Sequence, residues 1–128
     1  MTPESELRAL VERYAAIVDG RTFERFGEVF TPDAVLETAR GVRAGLDEIR
    51  TAMQGLHRYV STDHRVGGSS VALDGETATG LVACEAHHVD DTGADRVMTI
   101  TYHDRYVATP DGWRIAHRRL EVLDERTI

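Results

Sequence analysis

The sequence predicts an α+β protein in which helices come first and an antiparallel sheet follows. The first half carries apolar residues at the three- and four-residue spacing of amphipathic helices. After Ser61, four segments alternate between apolar and polar residues, as half-buried strands do. Clusters of Asp, Gly and Pro separate these segments. Helices followed by a meander of strands are typical of the α+β class, with the helices on one face of the sheet.

Length and charge limit the function classes. The chain has 128 residues, of which 41% are hydrophobic, enough for one domain over residues 1–128. A net charge of −7 disfavours nucleic acid as a partner, and the Arg118-Arg119 pair is too small a patch to reverse this. The polar start and the lack of a long apolar run predict neither signal peptide nor membrane span. Cys84 is the single cysteine, so no internal disulfide can form, which fits a reducing compartment. From these features together we expect a soluble cytoplasmic protein.

Three helices are predicted in the first half. Thr2 or Ser5 can cap the first helix, Pro3 fits its first turn, and Asp19-Gly20 ends it. The second is short, and the third runs from about 44 to 57. Their apolar stripes are Leu7, Leu10, Val11, Tyr14, Ile17 and Val18; then Phe23, Phe26, Val29 and Phe30; then Leu46, Ile49, Met53 and Leu56.

The strands are predicted mainly after the helices. Thr31-Pro32-Asp33 reads as a turn before a short strand at Ala34–Ala39. The meander strands are expected at His64–Leu73, Ala78–Val89, Arg96–Ala108 and Trp113–Val122.

Alternation along two strands predicts which side chains point inward. On the third meander strand Tyr102 and Asp104 share a face, and His103 lies on the other. On the second, His88 follows a small apolar series and is expected on the inner face, whereas His87 points outward.

Five segments make the chain resemble the nuclear-transport-factor-two-like superfamily, in its polyketide-cyclase-like and scytalone-dehydratase-like branch. They are RYAAIVDGRTF, FGEVFTPDAVLE, GLDEIR, TDHRVGG and DRYVATPDGWRIAHRRL. The fourth is the most specific, because the dehydratases carry a similar Thr-x-His-x-x-Gly-Gly. The resemblance implies a cone of three helices on a strongly bent, mostly antiparallel sheet, with a deep pocket between them. It also implies a homodimer or homotrimer formed through the sheet.

The resemblance implies catalytic roles for Asp19, His64 and His88. Dehydratase-like members carry an Asp at position 19 and histidines at the other two positions. Histidine titrates near neutral pH, and a neighbouring carboxylate fixes its tautomer. We expect Asp19 to pair with His88 and His64 to lie opposite as the proton carrier. Such a set supports water elimination from, or double-bond isomerisation of, a small hydrophobic cyclic or polyketide-like substrate.

The chain departs from the dehydratases where they carry two tyrosines that polarise the substrate carbonyl. Val18 and Thr38 occupy those positions here. Tyr14 and Tyr102 are candidate replacements, so all four are predicted substrate-binding residues. The substrate is therefore expected to differ from scytalone.

Other chemistries remain open. The chain has no HxxxH, HxH or HExxH spacing, so neither a metal nor another cofactor is expected. A non-catalytic binding module is an alternative, because one fold hosts many functions. A polyketide cyclase or hydrolase with an acid as its main group is another. An epoxide hydrolase would pair Asp with an inward Arg, and the sequence indicates no such arginine.

Overall fold

Six strands form one sheet, and the helical segments lie against its inner face. The computed structural model describes residues 2–128. Its helices are α1 (Pro3–Gly20) and α2 (Leu46–Met53), with 3-10 segments at Phe23–Glu28 and Gln54–Arg58. Its strands are β1 (Phe30–Thr38), β2 (Gly41–Ala44), β3 (Ser61–Asp74), β4 (Thr77–Val89), β5 (Asp95–Thr109) and β6 (Gly112–Thr127).

The strand order is β2-β1-β6-β5-β4-β3. The four long strands form the expected antiparallel meander, while β1 joins β6 in parallel and β2 in antiparallel orientation. Register shifts interrupt β3–β4 and β5–β6, and bulges of this kind bend strands. The α+β class is thus confirmed, but the sheet does not close, since β2 and β3 are its two edges.

Helix α1 begins as the sequence predicted. The Thr2 hydroxyl accepts a 3.1 Å hydrogen bond from the Ser5 amide, and Pro3 occupies the first turn. The helix ends at Gly20, as expected, and the residue that follows, Arg21 rather than a glycine, adopts the left-handed conformation, with φ of 57°. Asp19 therefore lies in the last turn of α1, beside the sheet.

The other two predicted helices are wrong in extent. The second is a single 3-10 segment, because Phe30 already belongs to β1. The third shortens to eight residues of α2 followed by a 3-10 segment. The prediction of a turn at Thr31-Pro32-Asp33 is also wrong. Those residues lie in β1, where the β1–β6 pairing shifts register between Phe30 and Val35 and so accommodates a proline without an N–H. Strand β2, with four residues, was too short to show a period.

A buried ion pair forms the base of the core. Arg118 is fully buried, and its Nε and Nη2 each donate a 2.7 Å hydrogen bond to the Asp104 carboxylate. The guanidinium carbon lies 4.4 Å from the ring centroid of Tyr14 and 3.9 Å from that of Tyr102. The Tyr106 hydroxyl donates a 2.6 Å hydrogen bond to the same carboxylate. The expectation of no inward arginine was therefore wrong, since neither charge nor spacing in β6 distinguishes Arg118 from exposed Arg119.

Apolar side chains surround this ion pair. They come from α1, the first 3-10 segment, β1, α2 and the meander: Leu7, Leu10, Val11, Ile17, Val18, Phe23, Phe26, Val29, Phe30, Ala34, Leu36, Ile49, Ala78, Val82, Cys84, Ala86, Ile100 and Ile115. None of the helices within residues 2–128 is long and apolar enough to cross a membrane.

Breaking the ion pair should destabilise the fold severely. Arg118→Met leaves the Asp104 carboxylate without its cation in the core, a change that costs about 3–5 kcal/mol. Urea denaturation followed by circular dichroism measures the loss. The matched control is Arg119→Met on the neighbouring exposed residue, expected within about 0.5 kcal/mol of wild type. If the first variant is too unstable to purify, Tyr106→Phe removes one hydrogen bond from the network and should cost about 1 kcal/mol. Wild-type stability in that variant would contradict the assignment.

Candidate active site

A cavity of about 290 Å³ opens between the end of α1, the α2 region and the inner face of the sheet. Its lining is mainly apolar with a few polar groups, which is the usual composition of a small-molecule site. The lining residues are Tyr14, Val18, Leu36, Thr38, Ala39, Arg40, Arg43, Ala52, Met53, Gly55, Leu56, Arg58, Tyr59, His64, His88, Arg96, Met98, Ile100, Tyr102, Leu120, Val122 and Glu125.

The Asp19 carboxylate accepts three hydrogen bonds from β3. One oxygen receives the His64 backbone amide at 2.7 Å, and the other lies 2.7 Å from His64 Nδ1 and accepts the Thr62 hydroxyl at 3.0 Å. Partial burial raises the pKa of Asp19, but these hydrogen bonds outweigh it, so the pKa lies below its ordinary value. Asp19 is thus held as a carboxylate behind the His64 ring and does not itself line the cavity.

The expected pairing of Asp19 with His88 was wrong, because Asp19 pairs with His64. Helix α1 packs on β3, the edge strand, so the carboxylate meets a β3 side chain first. His88 lies one strand further in, directly opposite Thr62 in the β3–β4 register. His64 and His88 still share the inner face, and their ring centroids are 5.5 Å apart.

The position of Asp19 defines the state of the His64 ring. An ionised carboxylate only accepts hydrogen bonds, so the bonded Nδ1 carries the proton. In the neutral ring Nε2 is then the unprotonated nitrogen. Within residues 2–128 no protein group donates a hydrogen bond to Nε2, and the ring lines the cavity. A histidine oriented by a carboxylate in this way can accept a proton at Nε2.

His88 is a neutral imidazole beside this dyad. It is buried, and its ring centroid lies 4.9 Å from that of Tyr59. Burial, and then the nearby His64, lower its pKa to about 4. Its Nδ1 has no hydrogen-bond partner among the described residues. A buried polar atom of this kind can be satisfied by a bound molecule.

The four residues predicted to bind substrate all line the cavity: Tyr14, Val18, Thr38 and Tyr102. Burial raises the pKa of Tyr14 to about 12 and raises that of Tyr102 as well. Both phenols therefore stay protonated. Their rings also contact Arg118, which fixes them in the cavity wall.

Sequence reasoning missed Arg40, Arg43, Arg58, Tyr59 and Arg96, which also line the cavity. These residues lie in the β1–β2 turn, in β2, around the second 3-10 segment and at the start of β5. Only Arg96 was in a predicted strand with a readable period. The others lie in short polar segments, where no periodicity marks an inward side chain.

Comparison with known proteins places this geometry in a family. The model of the SnoaL-like domain matches residues 1–119. The chain belongs to the SnoaL-like family. It is 33% identical over 118 residues to the uncharacterized protein Rv2910c of Mycobacterium tuberculosis, covering 88% of this chain and 80% of that one. The predicted nuclear-transport-factor-two-like superfamily is thereby confirmed.

Solved structures share the fold of this SnoaL-like domain. A putative scytalone dehydratase from Novosphingobium aromaticivorans has a TM-score of 0.89 at 16% identity, covering 96% of this chain and 85% of that one. The hexachlorocyclohexane dehydrochlorinase LinA-type3 from Novosphingobium barchaimii has a TM-score of 0.88 at 12% identity, and the match covers 98% of this chain and 89% of that one. At these identities the likeness shows the fold alone.

The remaining histidines of this SnoaL-like domain lie away from the cavity. His87 pairs with Asp95 at 2.7 Å and His103 with Glu121 at 2.9 Å, as their outward direction predicted. His117 pairs with Glu37 at 2.5 Å. In the described part of the chain, no three His, Cys, Asp or Glu side chains form a group that could hold a metal ion.

The pH dependence of stability tests the neutral state of His88. Its folded pKa of about 4 lies below the ordinary 6.5, so between these values the unfolded chain binds more protons than the folded one. The free energy of unfolding should therefore fall as the pH drops from about 6.5 to 4. Urea denaturation of His88→Gln should show a shallower fall over this range than wild type. His57→Gln, at an exposed histidine, is the control, and an unchanged slope in His88→Gln would contradict the assignment.

Proposed function

We propose that this SnoaL-like domain is a cofactor-independent lyase or isomerase that uses His64 as its general base. Its substrate is a small hydrophobic cyclic or polyketide-like molecule. The observation that carries the proposal is the 2.7 Å contact between Asp19 and His64 Nδ1, made by a ring that lines an apolar cavity. A histidine held in one tautomer by a carboxylate is suited to proton abstraction.

The proposed elimination proceeds by proton transfer. His64 Nε2 takes the proton alpha to a substrate carbonyl, and the electrons of that C–H bond form the new double bond. The C–O bond to the departing hydroxyl breaks, and the His64 imidazolium returns the proton to that oxygen, so that water leaves. Asp19 stabilises the imidazolium between these steps. In an isomerisation, the same proton returns to a different carbon of the substrate.

His88 and the two buried tyrosines would hold the substrate oxygen. His88 is neutral at neutral pH, so it can donate a hydrogen bond to the carbonyl oxygen without placing a second cation beside His64. The Tyr14 and Tyr102 phenols are protonated and buried, which suits them to the same task. Preorganised donors directed at developing negative charge lower the barrier to proton abstraction.

Proteins of the same fold give this proposal a precedent. The names of the putative scytalone dehydratase and of the LinA dehydrochlorinase describe loss of water and of hydrogen chloride. Both reactions are eliminations. The family also contains polyketide cyclases, and a cyclase would use the same base to form a carbon nucleophile. A binding module would use the cavity alone.

Deuterium exchange tests the base without knowledge of the leaving group. Cyclic ketones incubated with the protein in D₂O should gain deuterium at the alpha carbon, measured by mass spectrometry. We expect His64→Ala to reduce this exchange at least about 100-fold and Asp19→Asn to reduce it by a smaller factor, because the imidazole loses its orientation. His103→Ala, on the outer face, is the matched control and should exchange at the wild-type rate. Exchange that is absent in wild type, or unaffected in His64→Ala, would favour the binding module.

We also propose that the chain forms a homodimer or homotrimer through the outer face of the sheet. Leu81, on that face beside His103, is 49% exposed, and symmetric self-association would cover it. Light scattering at micromolar concentration should give a multiple of 14.2 kDa. Leu81→Lys should shift the mass toward the monomer, with Leu123→Lys near the exposed C-terminal end of β6 as control. A monomeric wild type would refute the proposal.

A further inference from the structure

Four arginines line the solvent-facing part of the cavity, where two are exposed and two are half-buried. Arg40 and Arg43 come from the β1–β2 hairpin, Arg58 from the end of the second 3-10 segment, and Arg96 from β5. We refer to these four residues as the arginine rim. Among the described lining residues the one carboxylate is Glu125. This concentration of positive charge stands out in a chain whose net charge is −7.

Three arginines of the rim have no carboxylate partner. Arg96 is neutralised by Glu125, 2.5 Å away. Arg40, Arg43 and Arg58 form no ion pair within the described residues. The rim therefore keeps uncompensated positive charge beside a cavity whose lining is mainly apolar.

Tyr59 connects the rim to the dyad. Its hydroxyl accepts hydrogen bonds from Arg58 Nη2 at 3.3 Å and from Arg96 Nη1 at 3.2 Å. Burial raises the pKa of this phenol, but the two guanidinium groups outweigh it, so the pKa lies below the ordinary value of 10.0. The Tyr59 ring packs on His88, which in turn contacts His64. A molecule of modest size can thus touch the rim and the base at once.

We infer that the ligand of this cavity is an apolar ring bearing a carboxylate, with the carboxylate on Arg40, Arg43 and Arg58 and the ring between His88 and the apolar wall. A guanidinium presents paired donors that match the two oxygens of a carboxylate. Positive charge at a cleft mouth also attracts anions and speeds their association. The inference rests on the proposed function only for the claim that this ligand is turned over. Binding itself does not require the dyad.

The test compares 2-naphthoate with its neutral isostere 2-naphthamide by isothermal titration calorimetry. The acid should bind about tenfold more tightly or better, since a hydrogen bond between two charged groups is stronger than one to a neutral amide. Arg43→Gln and Arg58→Gln should each remove most of that preference, because each weakens binding of the acid far more than binding of the amide. Arg105→Gln, an exposed arginine on the outer face, is the matched control. Raising the salt concentration should weaken the binding of 2-naphthoate but not that of 2-naphthamide.

Equal affinity for acid and amide would overturn the inference, as would failure of the acid to bind in the millimolar range. Tighter binding of 2-naphthyl phosphate than of naphthoate would also overturn it in favour of a phosphate ester. His64→Ala separates the two proposals. If His64→Ala keeps the preference for the acid, carboxylate binding by the arginine rim is supported whether or not wild type catalyses exchange. If wild type exchanges neutral ketones but shows no preference for the acid, the role of His64 stands and carboxylate binding by the rim is overturned.

Discussion

The Asp19 carboxylate couples the end of α1 to the edge strand β3, and the geometry of the cavity depends on this contact. It accepts three hydrogen bonds from Thr62 and His64, including the backbone amide of β3. A carboxylate in the last turn of a helix meets an unfavourable dipole, so these bonds must offset that cost. Because they hold the pKa of Asp19 below its ordinary value, their stabilisation is present above that value and is lost as the pH falls through the folded pKa.

Two buried polar side chains, Arg118 and His88, differ in how they are hydrogen-bonded and packed. Arg118 donates to Asp104 through Nε and Nη2 and is packed between two tyrosine rings, so its position is fixed even though its Nη1 has no hydrogen-bond partner within residues 2–128. His88 is buried with Nδ1 unpaired within residues 2–128. The first arrangement holds the two tyrosine rings rigidly in the cavity wall. The unpaired Nδ1 of His88 is available to form a hydrogen bond with a bound molecule.

The sequence could predict to which face of the sheet a side chain points, but not which side chain of another element it contacts. Alternation along β4 and β5 correctly assigned His88 and Tyr102 to the inner face, because a strand repeats every two residues. The pairing of Asp19 with His64 depends on which strand α1 packs against. The hydrophobic periodicity of the sequence carries no information about that packing. Pro32 was predicted in a turn, since its place in β1 relies on a register shift with β6. Arg58 and Tyr59 lie in an irregular segment, where only tertiary packing turns them toward the cavity.

The distribution of charge around the cavity constrains the reaction it can support. In the proposed reaction, proton abstraction would make His64 cationic beside the Asp19 anion, so the charge of the dyad would change from −1 to zero while the substrate becomes an enolate. A substrate carboxylate held deep in the cavity would oppose this second negative charge. A carboxylate held on the arginine rim, as inferred above, would instead be neutralised by the guanidinium groups before the proton moves. The rim is separated from His64 by the ring contacts of Tyr59 with His88 and of His88 with His64. The neutral state of His88 then matters, because an imidazolium at that position would disfavour the protonation of His64 that the reaction requires.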